Sequence, residues 1–164
     1  MLGTIFSFEF KRWFTNWSFY LYFAIFFLLS FFTMASSAGY FDAVTVTTAS
    51  NKYINSPLMI NSFISGLSQL IYFIIPTVIG ATVYRDFKYN THQILFSYPF
   101  NKFAYLSGKF LSGFLITIII TFSILLAFII ATNLPFANQD LLGPVNIWAY
   151  FQAYLYFVIP NIFF

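Results

Sequence analysis

Long uncharged stretches of apolar residues alternate with short polar segments along this chain. Residues 19–38, 60–84 and 110–131 contain no Asp, Glu, Lys or Arg. About 20 such residues, coiled as a helix, cross the hydrocarbon core of a bilayer. A fourth apolar stretch, residues 147–164, runs to the end of the sequence. The pattern predicts four transmembrane helices.

A helical stripe of large apolar residues precedes the first of these stretches. Its members recur at three- and four-residue spacing and are Leu2, Ile5, Phe6, Phe10, Trp13, Phe14 and Trp17. This spacing predicts an amphipathic helix over residues 2–17, lying in the cytoplasmic interface of the membrane. Since no Gly or Pro separates the segment from residues 19–38, the alternative is that it extends the first span into the cytosol.

The composition indicates that the predicted helices belong to a membrane protein. Of 164 residues, 60% are apolar and only 7% charged, whereas a soluble domain carries roughly 25% charged residues. We therefore expect an all-α integral membrane protein in which residues 1–164 form one transmembrane domain. The chain has no cysteine, so disulfides and thiolate sites are excluded.

Six of the seven basic residues fall on one side of the predicted spans. Lys11 and Arg12 precede the first span, and four more lie in residues 85–109, between the second and third. By the positive-inside rule, the N-terminus and residues 85–109 are predicted to be cytoplasmic, and the loops at 39–59 and 132–146 external. The net charge of +3 is too small and too dispersed to predict a nucleic-acid partner.

The second span carries polar residues along one helical face. They are Asn61, Ser65, Ser68, Gln69 and Tyr72. Because an unpaired polar group costs free energy in hydrocarbon, this face should meet other helices or a hydrated pathway. The sequence leaves two interpretations open, which are helix packing and a substrate path.

The segment at residues 85–109 has the signals of a folded loop. Asn90 is a suitable N-cap for a short helix over residues 91–97, and Pro99 would end that helix. Asn101 can cap a further helix, "KFAYLSGKFLSGFL", that continues into the third span. Ile94 and Leu95 give the short helix an apolar face suited to docking on a protein at the membrane surface.

The order of these features resembles the permease subunits of type-two ATP-binding-cassette exporters. "ATVYRD" at the end of the second span is followed by "T…ILFSYPFNKFAYLSGKFL". The matching positions are Arg85, Asp86, Thr91, Leu95, Pro99, Lys102, Gly108 and Lys109. The N-terminal segment "FSFEFKRWFTNWSFY" is similar to the N-terminal segments of Bacteroidetes-type permeases. We expect the sequence to be the N-terminal part of a six-span permease.

The resemblance implies that residues 85–109 form a cytoplasmic coupling loop. Its ATPase-coupling residues would be Arg85, Asp86, Lys88, Thr91, Ile94, Leu95, Pro99 and Lys102. It also implies a cytoplasmic ATP-binding-cassette ATPase, which binds the ATP, a second permease copy or homologue as partner, and a bacterial inner membrane location. Arg85 and Asp86 could pair with the N-terminal helix or with the ATPase. The alternative is that the loop serves only to orient the chain in the membrane.

The sequence offers little for catalysis, and we predict that the chain is not an enzyme. It has no "GxxxxGK[ST]" phosphate loop and no "HExxH" zinc motif. His92 has no second histidine, and the acids Glu9, Asp42, Asp86 and Asp140 occupy separate segments. No cofactor or metal site is predicted. The rival function is a non-transporting scaffold or anchoring subunit of a membrane complex.

Overall fold

The computed structural model describes residues 2–40, 53–90 and 101–163, and the regular elements in these ranges are all helical. In chain order they are α1 (Leu2–Thr15), α2 (Trp17–Ser37), α3 (Pro57–Ser68), α4 (Ile71–Lys88), α5 (Lys102–Asn133), a 3₁₀ turn (Gln139–Leu141), α6 (Ile147–Ala153), a π-helical turn (Tyr154–Val158) and α7 (Ile159–Phe163). For these residues the predicted all-α fold is confirmed.

Two of the described helices, α2 and α5, are long and apolar enough to cross a membrane. The pair α3 and α4 makes a third crossing if the two helices are taken together, and they are bent by 44° at a short break. A membrane-embedded protein with two to three spans follows from these lengths and compositions. The predicted fourth span coincides with the shorter pieces α6, the π-helical turn and α7, and it stays a prediction.

The N-terminal segment is a helix of its own. Asn16 has extended backbone angles, with φ −84° and ψ 130°, between the end of α1 and the start of α2. The alternative, in which the segment continues the first span without a break, is therefore wrong. The interfacial position of α1 stays a prediction.

The second span is interrupted, although the sequence indicated one stretch over residues 60–84. The break falls at Gln69 and Leu70, where three-residue turn hydrogen bonds replace the α-helical ones, as from the Leu70 N–H to the Leu67 carbonyl (3.1 Å). Pro76, the one residue in the span that cannot donate a backbone hydrogen bond, lies inside α4. The backbone therefore breaks at a polar residue seven positions before the proline.

Helix α5 is the central element of the bundle. Its fully buried residues Ile116, Ile120, Ile124 and Phe128 belong to one apolar core shared with α2, α3, α4 and the C-terminal helices. The hydroxyl groups on α5 bond to carbonyls of the preceding turn, as Thr121 does to Thr117 (2.9 Å). These internal bonds satisfy the buried hydroxyls, so the helix can be surrounded by apolar neighbours.

The start of α5 confirms the capping prediction. The Asn101 side chain accepts hydrogen bonds from the backbone N–H groups of Phe103 (3.0 Å) and Ala104 (3.3 Å). The helix then runs for 32 residues without interruption into the third span. This cap fixes where the chain returns to the bundle after residues 91–100.

The loops at the other end of α5 are joined by side-chain hydrogen bonds. The buried Asn55 amide donates to the Gly143 carbonyl (2.7 Å) and accepts from its N–H (2.8 Å). The Tyr40 hydroxyl donates to the Ala131 carbonyl (2.8 Å), and burial raises the pKa of Tyr40 above its ordinary value, which keeps this donor protonated. The segments that follow α2, precede α3 and follow α5 are therefore held at this end of the bundle.

Candidate functional site

Four charged side chains from three separated helices meet at one end of the bundle. Lys109 of α5 lies at their centre with its side chain 3% exposed. Its Nζ is 2.9 Å from Glu9 Oε1 of α1 and 2.6 Å from Asp86 Oδ2 of α4, and it donates to the Thr82 carbonyl at 2.7 Å. One ammonium group therefore joins α1, α4 and α5, and all three of its donors can be satisfied.

Arg85 completes the charge balance of this cluster. Its guanidinium lies 3.5 Å from Glu9 Oε2 and also donates through Nε to the Ala81 carbonyl (3.0 Å). The same guanidinium lies over the buried ring of Trp13, 5.2 Å from the ring centroid. Two cations and two carboxylates thus compensate one another, as charges buried in an apolar bundle require.

Asp86 has a second partner on α5. The Tyr105 hydroxyl donates to Asp86 Oδ2, and the Tyr105 ring lies 5.2 Å from Lys109 Nζ. Tyr105 and Lys109 are one helical turn apart, so both face α4 from the same side of α5. The contacts of Asp86 therefore tie the end of α4 to the beginning of α5.

A glycine next to the lysine makes room for α1. A Cβ at Gly108 would lie 3.2 Å from Ile5 Cγ2 and 3.3 Å from the Leu2 carbonyl oxygen. Since these contacts are tighter than ordinary van der Waals distances, any side chain at this position would require α1 to shift away from α5. The "GK" pair thus has two local roles, which are close helix approach and the central cation.

The predicted coupling residues occupy different environments, and some of them lie outside the described part of the chain. Arg85 and Asp86 face inwards, and Arg85 pairs with the N-terminal helix, one of the two partners considered for it. Lys88 and Lys102 are exposed at the ends of α4 and α5. The remaining coupling residues, Thr91, Ile94, Leu95 and Pro99, lie outside the described residues, so their role stays a prediction.

Asn90, proposed as the cap of a helix over residues 91–97, has a clear role at the end of α4. Its backbone is left-handed, with φ 54°, and its N–H donates to the Phe87 carbonyl (3.1 Å). Asparagine tolerates this conformation better than most residues, which suits it to ending a helix. The helix that it was expected to start lies outside the described residues.

Glu9 is the site residue that sequence reasoning missed. The acids of the chain were treated as belonging to separate segments, yet Glu9 and Asp86 bind the same Lys109 ammonium. A signal was present, because an acid in the middle of an aromatic-rich helix needs a buried partner. The sequence could not indicate that this partner is 100 residues away.

The polar face of the second span lines a cleft of about 520 Å³. Ser65, Ser68, Gln69 and Tyr72 contribute to its wall, as predicted from their common face, while Asn61 does not. The opposite wall comes from the C-terminal helices and includes Tyr156, Phe157 and Asn161. The cleft thus lies between the break in the second span and the π-helical turn.

Hydrogen bonds cross this cleft at one point. The Asn161 amide donates to Ser68 Oγ (2.8 Å) and its Oδ1 accepts from the Tyr72 hydroxyl (3.1 Å). Ser68 in turn donates to the Ser65 carbonyl (2.7 Å). Ser68 and Tyr72 of the polar face therefore serve helix packing, and a substrate path along this face stays a prediction.

Comparison with known proteins identifies no family. No family model, no curated protein and no solved structure matches this chain.

Proposed function

We propose that this chain is the membrane-spanning subunit of an ATP-driven exporter. A separate cytoplasmic ATPase would hydrolyse ATP, and residues 85–109 would transmit its movement to the helices. The observation that carries this proposal is the binding of both Glu9 and Asp86 by Lys109. The order of sequence features shared with type-two ATP-binding-cassette permeases supports the same function.

The proposed lever, residues 91–100, connects α4 with α5 along the chain. A short segment at the base of two spans acts as a lever only if both of its ends are held firmly. Asp86, five residues before it, and Lys109, nine residues after it, are joined directly by an ion pair of 2.6 Å. A force on residues 91–100 would therefore move α4 and α5 together, and α1 through Glu9.

The charges of residues 85–109 would have two separate tasks. Arg85 and Asp86 bind within the chain and hold the base of the lever. Exposed Lys88 and Lys102 flank the lever and would meet acidic groups of the ATPase. Ile94 and Leu95 would supply the apolar contact in its docking cleft.

The membrane arrangement forms part of the proposal. The chain would be a multi-pass protein of a bacterial inner membrane, with a cytoplasmic N-terminus and four spans, the last formed by α6, the π-helical turn and α7. Helix α1 would lie in the cytoplasmic interface, where its exposed Lys11 would face lipid headgroups. A second copy or homologue would complete the transport unit.

The test is co-purification with an ATPase from the native membrane. Tagged full-length chain, solubilised in mild detergent, should retain a protein with ATPase activity. Replacing Ile94 and Leu95 together by Asp should remove that activity from the purified complex, because two carboxylates would have to be buried in an apolar contact. Insertion of the chain into the membrane should be unchanged, since the substitutions lie outside the spans.

The matched control is Phe136→Asp, which places a carboxylate at an exposed aromatic residue at the other end of α5. It should leave the ATPase bound. Retention of the ATPase by the Ile94 and Leu95 double variant would contradict the docking assignment. A chain that co-purifies with membrane partners but with no ATPase would instead be the non-transporting scaffold.

A further inference from the structure

We propose that the cleft between the second span and the C-terminal helices binds an uncharged ligand that has a hydrogen-bonding head and an apolar body. Only the further step of regarding this ligand as the exported substrate rests on the proposed function. Binding itself requires no ATPase, so the two proposals can fail separately.

Each wall of the cleft contains one irregularity in its helix. On one side, α3 gives way to α4 at Gln69 with a bend of 44°. On the other, Tyr156 and Phe157 belong to the π-helical turn, in which the Ile159 N–H bonds to the Tyr154 carbonyl five residues earlier. In a membrane, irregular backbone is tolerated where it is buried or lines a cavity, and π-helical turns are frequent at functional sites. Two such irregularities facing one cleft favour a binding site over simple packing.

The chemistry of the lining defines the class of ligand. Serine hydroxyls, the Gln69 amide and the Asn161 amide offer donors and acceptors, and four aromatic rings cover the remaining surface. Among the residues that the structure describes, no charged side chain lines the cleft. The ion-pair cluster around Lys109 lies roughly 20 Å farther along α4, from the rise of 1.5 Å per residue. An ionic ligand would meet no countercharge here, which would make its transfer from water costly.

The Gln69 amide is one of the polar groups in the cleft that remain available to a ligand. Within residues 2–40, 53–90 and 101–163, its side-chain amide has no hydrogen-bond partner, whereas Ser68, Tyr72 and Asn161 satisfy one another. Gln69 is exposed at the helix break and faces the cleft. It would therefore be the first side chain to bond the head of a ligand, with Tyr156 and Phe157 against the apolar body.

The size of the cleft also suits a small molecule. Its volume of about 520 Å³ falls within the roughly 300–1,000 Å³ typical of small-molecule sites. A helix of a second copy is the other conceivable occupant. Such a helix would exclude soluble probes from the cleft, so the experiment below separates the two.

Photolabelling of the purified full chain in phosphatidylcholine nanodiscs tests the proposal. Three diazirine probes share one eight-carbon tail and differ only in the head, which is a primary amide, a carboxylate or a trimethylammonium group. We expect the amide probe to label the peptides that contain Phe73 and Tyr156 in a saturable manner. The two charged probes should bind on the order of tenfold more weakly, because the cleft offers no countercharge.

Two variants and a control locate the labelling. Ser65→Phe fills the cleft and should abolish saturable labelling, whereas Ser62→Phe, on the same helix but away from the cleft, should not change it. Gln69→Leu, a milder change at an exposed position, should weaken labelling by the amide probe and keeps the test decisive if Ser65→Phe does not fold. Equal labelling by all three probes, labelling that survives both variants, or no saturable labelling would overturn the proposal.

Discussion

At the scale of single residues, Lys109 determines how the charged end of the bundle is built. Its ammonium neutralises carboxylates from two helices while its side chain is 3% exposed. Removing one member of a buried ion pair costs much more than the pair contributes, because the remaining charges stay buried without compensation. The cluster should therefore respond strongly to single substitutions and less to neutral double substitutions.

We expect Lys109→Met to lower the free energy of unfolding by on the order of 3–5 kcal/mol, since Glu9 and Asp86 would both lose the cation that they share. The measurement is the apparent Tm in detergent, followed by tryptophan fluorescence, which should fall on the order of 10 °C. The control is Lys102→Met on the same helix, where the lysine is exposed and the change should have little effect.

A second comparison separates charge from packing in this prediction. The double variant Glu9→Gln with Lys109→Met removes one charge of each sign and leaves Arg85 and Asp86. It should recover part of the stability lost in Lys109→Met. Equal Tm values for the Lys109 and Lys102 variants would show that the cluster does not hold the bundle together.

The pairing of Glu9 with Lys109 lies beyond what this sequence could predict. Hydropathy and capping are local properties, so the helices and the Asn101 cap can be read from a few neighbouring residues. A contact between residues 9 and 109 depends on how α1 packs against α5, which no local pattern encodes. The polar face of the second span could be predicted in part, because its members share one predicted span, whereas their partner Asn161 lies in another.

At the scale of elements, the position of α1 depends on its close approach to α5. Ile5 lies against Gly108, and one helical turn farther along α1 Glu9 reaches Lys109. This spacing places an apolar contact and an ion pair on the same face of α1. The helix is therefore held on the bundle by two independent contacts at neighbouring turns.

Gly108→Leu should displace α1 from the bundle, because its side chain would occupy the space now filled by Ile5. Overpacking of this kind costs roughly 1–3 kcal/mol. The readout is amide hydrogen exchange followed by mass spectrometry, in which peptides from α1 should exchange faster while the centre of α5 stays protected. In Gly66→Leu, where nothing lies within 4 Å of the added Cβ, exchange in α1 should be unchanged. Similar exchange in both variants would contradict the close-approach role of Gly108.

The break in the second span shows where reasoning about elements from sequence reaches its limit. Proline is the strongest local signal for a helix break, yet Pro76 lies within α4 and the bend is at residues 69 and 70. No Gly or Pro stands at these two positions, so the bend has no strong local signal. The bend lies beside the cleft, where Ser68 before it and Tyr72 after it both bond to Asn161 of the C-terminal helices.

At the scale of the whole molecule, α2 and α5 run in the same direction. Both helices begin near the ion-pair cluster and end near the loops joined by Tyr40 and Asn55. The intervening pair α3 and α4 runs back, so the described chain crosses the bundle in alternating directions. Residues 85–90 and 101–109 are thereby separated from residues 134–146 by the length of α5.

The basic residues at the predicted cytoplasmic end differ in their exposure. Arg85 and Lys109, two of the six basic residues on the predicted cytoplasmic side, are neutralised within the bundle. Lys11, Lys88 and Lys102 are exposed at the same end. By the positive-inside rule, these three exposed lysines would keep this end on the cytoplasmic face.

The absence of cysteine allows a direct test of this orientation. Lys102→Cys and Phe136→Cys each introduce a single thiol at an exposed position, at opposite ends of α5. In spheroplasts, a membrane-impermeant maleimide should label Phe136→Cys at once and Lys102→Cys only after the membrane is permeabilised. The unmodified chain serves as the control, because it has no thiol to react. Labelling of Lys102→Cys in intact spheroplasts would reverse the orientation and would place the proposed ATPase contact on the wrong side of the membrane.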